Sequence, residues 1–328
     1  MGRRLADSDV YRFTLAVLFL MAASSCFMSY YRFSLSFKGS SNAVSFGSTQ
    51  TSRVNEEENV CCRGIEHLEL WGDAVKWGSD FKLNSSKECC EACKEMCKSD
   101  DGPCLCDSWV FCGDKVACGS RFGECWLKKQ NDILDPDRRD SGDMVMWTSG
   151  IIFGKGEGIV KLNTEYGGFH VKLLPECAPY SVVYILELLS LHHCAGCQFY
   201  RAESRGNSWD PTGNHIEHAS FGPPHALIQG TVEAQGTVFK DIPPEACPTI
   251  RGGSVAWVGS GPEFFISLAK HNEWRKAYTV FGYVLPEDMD IVEKISQLPT
   301  IPDVWSKVKV SVLERPVPLR ILRTKKRP

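Results

Sequence analysis

Eleven of the sixteen cysteines fall between Cys61 and Cys125, and this crowding constrains the chain more than any other feature. So many thiols in a short segment read as a small domain held by disulfides, which persist only in an oxidising compartment. The stretch Ser85 to Cys97 opens with serine and carries Glu88 three residues on, a helix-start pattern. Cys89, Cys93 and Cys97 recur at i, i+4 and i+8 and so share one helix face, with Cys90 beside them. A short helix stapled through that face can be stable on a modest core. Because eleven is odd, at least one of these cysteines is free, pairs outside the segment, or bridges two chains. Cys90-x-x-Cys93 and Cys104-x-Cys106 also have spacings that zinc accepts. Disulfides are the preferred reading, since the N-terminus points to the secretory lumen.

Phe13 to Tyr31 is uncharged, with Arg3, Arg4 and Arg12 before it and Arg32 and Lys38 after it. As a helix that length just spans a bilayer, and Tyr11, Tyr30 and Tyr31 fall at interfacial positions. A cleaved signal peptide is the alternative, with Ala23-Ser24-Ser25 offering small residues for processing. The apolar run exceeds the ~7–15-residue core of such a peptide, which favours an uncleaved signal anchor. The flanking arginines assign 1–12 to the cytosol and the rest to the lumen. Residues 32–60, rich in Ser, Gly, Thr and Asn, read as a flexible stem. The expected product is a single-pass type II protein of the Golgi or ER membrane. Asn84-Ser85-Ser86 is then a candidate glycosylation site. Net charge is −3, and the last fourteen residues, Arg315 to Pro328, carry six positive charges and no acid. That balance does not suggest a nucleic-acid partner, and 316–328 reads as a solvated basic tail.

The Cys-rich helix, the aromatic stretch Trp109 to Cys112, Cys125-Trp-Leu-Lys-Lys129 and Met144 to Ile152 together resemble PAN/Apple modules. The resemblance covers 61–153. It implies a helix over a curved antiparallel sheet, in a small disulfide-rich α+β domain whose usual role is binding protein or carbohydrate.

Beyond it, Ile159 to Asn163 and Phe169 to Leu173 flank a glycine turn, and Tyr180 to Leu191 has helical periodicity. Gly252 to Val284 holds three short apolar runs separated by Gly/Pro or charged segments, which reads as consecutive antiparallel strands. Gly196 followed by Phe199-Tyr-Arg201, Leu227-Ile-Gln-Gly230, Pro262-Glu-Phe-Phe-Ile-Ser-Leu-Ala-Lys270, Trp274 and Thr279 to Val284 resemble cyclophilins. Pro286 to Leu298 and Val308 to Leu313 stand where that family has its second helix and closing strand. The resemblance implies, over 154–315, a closed antiparallel barrel with two helices, so that the whole chain is mostly β.

It also implies peptidyl-prolyl cis-trans isomerisation. Rotation about a peptide bond costs ~18–20 kcal/mol. A site lowers that barrier by donating to the prolyl nitrogen while an apolar slot holds the ring. By the resemblance Arg201 is the donor, Gln229 positions it or the carbonyl, and Phe265 is the slot floor, with Leu227, Trp274 and Tyr278 around it. Departures from the family gather at the same place. Ala226 removes a slot wall, Trp257 is expected to project into the substrate's path, and Glu263 is expected to pair with Arg201. The loop Gly259 to Pro262 is short, Arg275 replaces an apolar neighbour, and an insertion between Glu203 and Pro224 is either a surface loop or a lid.

His192, His193, Cys194, Cys197, His215, His218 and His225 have residue types that suit a metal site, and Cys194-x-x-Cys197 suits a redox pair. The preferred reading is a short disulfide at the helix-to-strand turn or two unrelated thiols, with the histidines in a loop. Cys177 and Cys247 are candidates for one bridge. No cofactor is expected. The resulting function is a lumenal prolyl isomerase of weak or altered activity on proline-containing polypeptides of the secretory pathway. The alternative is an inactive cyclophilin-fold binding module working with the PAN/Apple-like head.

Overall fold

The computed structural model describes residues 61–97, 104–190, 194, 196–233, 241–245 and 248–324. The expected cytosolic segment 1–12, signal anchor 13–31 and stem 32–60 lie outside these residues, as do His192, His193, Cys247 and 325–328. No helix among the described residues is long and apolar enough to cross a membrane.

The first half is built from β1 (Ile65–Glu66), β2 (Leu68–Leu70), β3 (Asp73–Lys76), α1 (Ser86–Glu95), β4 (Ser108–Cys112), α2 (Lys115–Cys118), β5 (Cys125–Lys129), β6 (Arg138–Ser141) and β7 (Trp147–Ile151). Five strands form a sheet in the order β1-β7-β4-β5-β3, and β2 pairs with β6. The helix starts where the serine pattern places it: the Ser85 hydroxyl accepts the Glu88 N–H at 3.2 Å. Cys89, Cys90 and Cys93 lie fully buried on its inner face. They bond to Cys125, Cys62 and Cys106, which ties α1 to the sheet and to the entering chain. Cys97–Cys104 and Cys112–Cys118 complete the set inside this half. With all of these thiols in disulfides, none is left to ligate zinc.

The odd cysteine is Cys61, which bonds to Cys177 at the far side of the linker. The expected Cys177–Cys247 bridge is therefore not formed. The described residues belong to one compact unit. Ile65, Leu68 and Leu70 face Pro179, Val182 and Val183 across an apolar seam. The linker turn is held by Lys172, whose Nζ donates to the carbonyls of Gly154 at 2.7 Å and Glu157 at 2.5 Å.

The second half contains β8 (Ile159–Thr164), β9 (Gly167–Leu173), α3 (Pro179–Ser190), β10 (Gln198–Glu203), β11 (Leu227–Thr231), β12 (Ser254–Trp257), β13 (Glu263–Ser267), β14 (Val280–Val284), α4 (Met289–Ser296), β15 (Thr300–Trp305), β16 (Val308–Pro318) and β17 (Arg320–Arg323). Ten strands form one antiparallel sheet, in the order β15-β16-β10-β11-β13-β12-β14-β9-β8-β17. α3 lacks a local capping side chain. Glu245, from a distant loop, supplies the cap instead, accepting the N–H groups of Tyr180 and Ser181, each at 3.0 Å. The helix buries Val182, Ile185, Leu186 and Leu188.

Two expectations are corrected here. The sheet does not close into a barrel by a continuous ladder. One edge of β16 is taken by β10 and the other by β15, so nothing remains for a strand on the far side. The ends are instead linked through the chain itself: after Leu319, whose N–H donates to Cys197 O at 3.0 Å, the backbone runs on into β17 against β8. The second correction concerns the basic tail, of which the first residues are strand. Val317, Leu319 and Ile321 alternate into the core while the arginines between and beyond them face out.

Candidate functional site

Strand register builds the site. Arg201 on β10 lies opposite Gln229 on β11, Gln229 opposite Phe265 on β13, and Phe265 opposite Ala256 on β12. Cross-strand partners share a face, so these four form one row. The next row on the same face is Glu203, Leu227 and Ser267. The row on the opposite face, Phe199, Gly230, Phe264 and Trp257, points into the core.

Alternation therefore corrects the role of Trp257. Its indole is 1% exposed, stacks on Phe281 at 4.3 Å and meets Tyr184 of α3 at 6.0 Å. The residue of β12 that faces the site is Ala256, and the Trp257 ring packs into the core between Phe281 and Tyr184 of α3.

The slot residues do come together. Phe265 meets Trp274 edge-on at 5.7 Å and Tyr278 edge-on at 5.1 Å, and those two rings are 5.3 Å apart. His271 stacks on Trp274 at 3.6 Å and 3°. Leu227 is buried one row away from Gln229.

The polar half of the site is a connected network. Arg201 Nη1 donates to Gln229 Oε1 at 2.8 Å. Its Nε donates to Glu203 Oε1 at 2.9 Å. The guanidinium also lies 5.6 Å from the Trp305 ring centroid. The acid that pairs with Arg201 is thus Glu203, and the expected Arg201–Glu263 pair is not formed. Glu263 instead lies 3.4 Å from Gln229 Nε2. Two residues apart on one strand, Arg201 and Glu203 share a face, whereas Glu263 is two strands away.

Sequence reasoning missed two members of this network. Glu203 is one, and its signal was the i, i+2 spacing to Arg201. The other is Tyr200, brought in by an irregularity of register between Phe199 and Arg201. Gln229 Nε2 donates to the Tyr200 hydroxyl at 2.9 Å. Burial first, and then hydrogen bonding to the Glu263 carboxylate, push the Tyr200 phenol far above its ordinary pKa.

The insertion docks behind the slot wall. Trp209, nearly fully buried, packs on His271 at 5.0 Å. Lys270 N–H donates to Gly213 O at 2.7 Å, and Arg205 reaches Leu268 O at 3.0 Å and Glu293 at 2.7 Å. His215 stacks on Phe221 at 4.0 Å. Burial lowers the pKa of His271 and of His225. Cys194 and Cys197 are bonded to each other. Among the described residues no cluster of three or more metal-binding side chains occurs. Asn84 is exposed just ahead of α1.

Residues 159–317 match the family model for cyclophilin type peptidyl-prolyl cis-trans isomerases. Among solved structures, a Cryptosporidium parvum cyclophilin-type isomerase is similar at 14% identity and TM-score 0.33, covering 50% of this chain and 97% of that one. A structure of that protein in the presence of the dipeptide Ala-Pro aligns at 16% identity and TM-score 0.31, covering 48% and 97%. A Hirschia baltica cyclophilin aligns at 16% identity and TM-score 0.29, covering 50% and 72%. No curated protein matches the chain. The part of the chain that carries Arg201, Gln229, Phe265, Trp274 and Tyr278 is a cyclophilin-type domain.

Proposed function

We propose that this chain is a membrane-anchored protein of the Golgi or ER whose lumenal cyclophilin-type domain binds proline-containing polypeptides and isomerises X–Pro bonds weakly. The observation that carries the reading is the single row Arg201, Gln229, Phe265 beside the Trp274 and Tyr278 rings. That row sets a fixed guanidinium donor next to an apolar slot. A permanently charged planar donor can stabilise the prolyl nitrogen as its lone pair localises, and the slot holds the ring while the carbonyl turns. The lumenal assignment is supported by the fourteen described cysteines, all of which are in disulfides.

The test is the isomerisation rate of an X–Pro peptide with the full-length protein and with Arg201→Ala. The expected result is a rate above background that the substitution removes. Equal background rates in both would sink the enzymatic reading.

The second reading is a binding module, favoured by the burial of the site's own side chains: Arg201 is 9%, Gln229 5% and Phe265 2% exposed. On this reading the domain displays a surface beside the PAN/Apple-like head, which would contribute protein or carbohydrate recognition. It predicts peptide binding without turnover in the same assay.

A further inference from the structure

Among the described residues Glu203 is the acid in direct contact with the Arg201 guanidinium, and both of its carboxylate oxygens are held by donors. Its Oε1 accepts from Arg201 Nε at 2.9 Å and from the Ser311 N–H at 3.3 Å. Its Oε2 accepts the His225 N–H at 2.5 Å. The three donors belong to β10, to the approach to β11, and to β16, so the carboxylate is fixed from three directions. The Glu203 side chain is 1% exposed and that of Arg201 10%. Gln229 takes Nη1 of the same guanidinium.

Two consequences follow from that geometry. The guanidinium plane cannot rotate without breaking a buried ion pair, so its remaining N–H groups have a set direction. A negative charge in contact with it, in a water-poor site, also cancels much of the field that a prolyl nitrogen would feel. We propose that Glu203 is a positioning residue that both aligns Arg201 and mutes its charge, so that the site holds prolyl peptides more readily than it turns them over. This rests on the peptidyl-prolyl reading above. Glu263 does not share the role, because its contact is with Gln229.

The test is Glu203→Gln in the full-length protein, which keeps side-chain length and an acceptor for Nε–H while removing the charge. Isomerisation of a proline-containing tetrapeptide is followed by exchange NMR, and binding of the same peptide by calorimetry. The expected result is a kcat about tenfold higher or more, with KM changed much less. The gain should vanish when Arg201→Ala is added. A purely structural role would not split kcat from KM in this way. A folded Glu203→Gln protein whose kcat is at or below the parent's, with peptide still bound, overturns the role of Glu203 alone. If the parent neither binds the peptide nor exceeds background, and Arg201→Ala changes nothing, the peptidyl-prolyl reading fails and the proposal with it. Glu203→Met, which puts no second N–H against His225, carries the same expectation if the glutamine variant does not fold.

Discussion

Cys61 is bonded to Cys177, a partner 116 residues away in the sequence. The bond joins the start of the disulfide-rich half to the segment that leads into α3. Closing so long a loop restricts the unfolded chain more than closing a short one. The double substitution Cys61→Ser/Cys177→Ser should therefore lower stability by roughly 2–4 kcal/mol. Removing Cys112–Cys118, which are 6 residues apart, should cost less. Urea denaturation monitored by near-UV circular dichroism compares the two, and an equal loss would contradict the loop-length account.

Trp257 gives the cleanest separation of core from site. Truncating a large buried aromatic costs ~3–5 kcal/mol, so Trp257→Phe, which keeps a ring against Phe281, should cost less than Trp257→Ala. Neither should change peptide affinity more than about twofold in protein that remains folded. A large affinity change in the folded phenylalanine variant would return Trp257 to the substrate path.

Lys172 predicts a pH dependence. Burial is the first cause lowering its pKa from 10.5 to about 8, partly offset by Glu176 and Glu157. Between about pH 8 and 10.5 the unfolded chain therefore carries a proton on this lysine that the folded chain has released. Stability should rise with pH across that window and be lost again as pH falls through about 8. The full effect is about 3 kcal/mol. Denaturation midpoints at pH 7.5, 9 and 10.5, chosen to cover about that range, should show the rise in the parent and a flatter profile in Lys172→Met.

The lumenal topology proposed above implies that Asn84 accepts a glycan, and its side chain is exposed in front of α1. Expression in secretory cells should give a glycosidase-sensitive mobility shift that Asn84→Gln abolishes. A parent protein without that shift would remove this support for lumenal topology.

Local pattern carried much of the fold. Ser85 and Glu88 marked the start of α1, and the i, i+4 cysteine spacing marked the face it buries. Val317, Leu319 and Ile321 carry an equally plain period-2 signal. The arginines interspersed with them mask that alternation in the sequence. Of the residues named from the sequence, the structure brings Phe265, Trp274 and Tyr278 together and sets Arg201 against Gln229. Trp257 and Glu263 were misplaced, because the first depends on which face each residue of β12 takes and the second on distance across strands.

The sequence by itself determined the elements, the family resemblance of 154–315 and the oddness of the cysteine count, because periodicity, spacing and parity are properties of the order of residues. Tertiary structure alone decided that Cys61 pairs with Cys177, that Trp257 turns inward, and that Gln229 meets the Tyr200 hydroxyl. Each of those depends on register between strands or on the approach of segments far apart in the chain. A shift of one residue in register exchanges the two faces of a strand, and no local pattern records which register is formed.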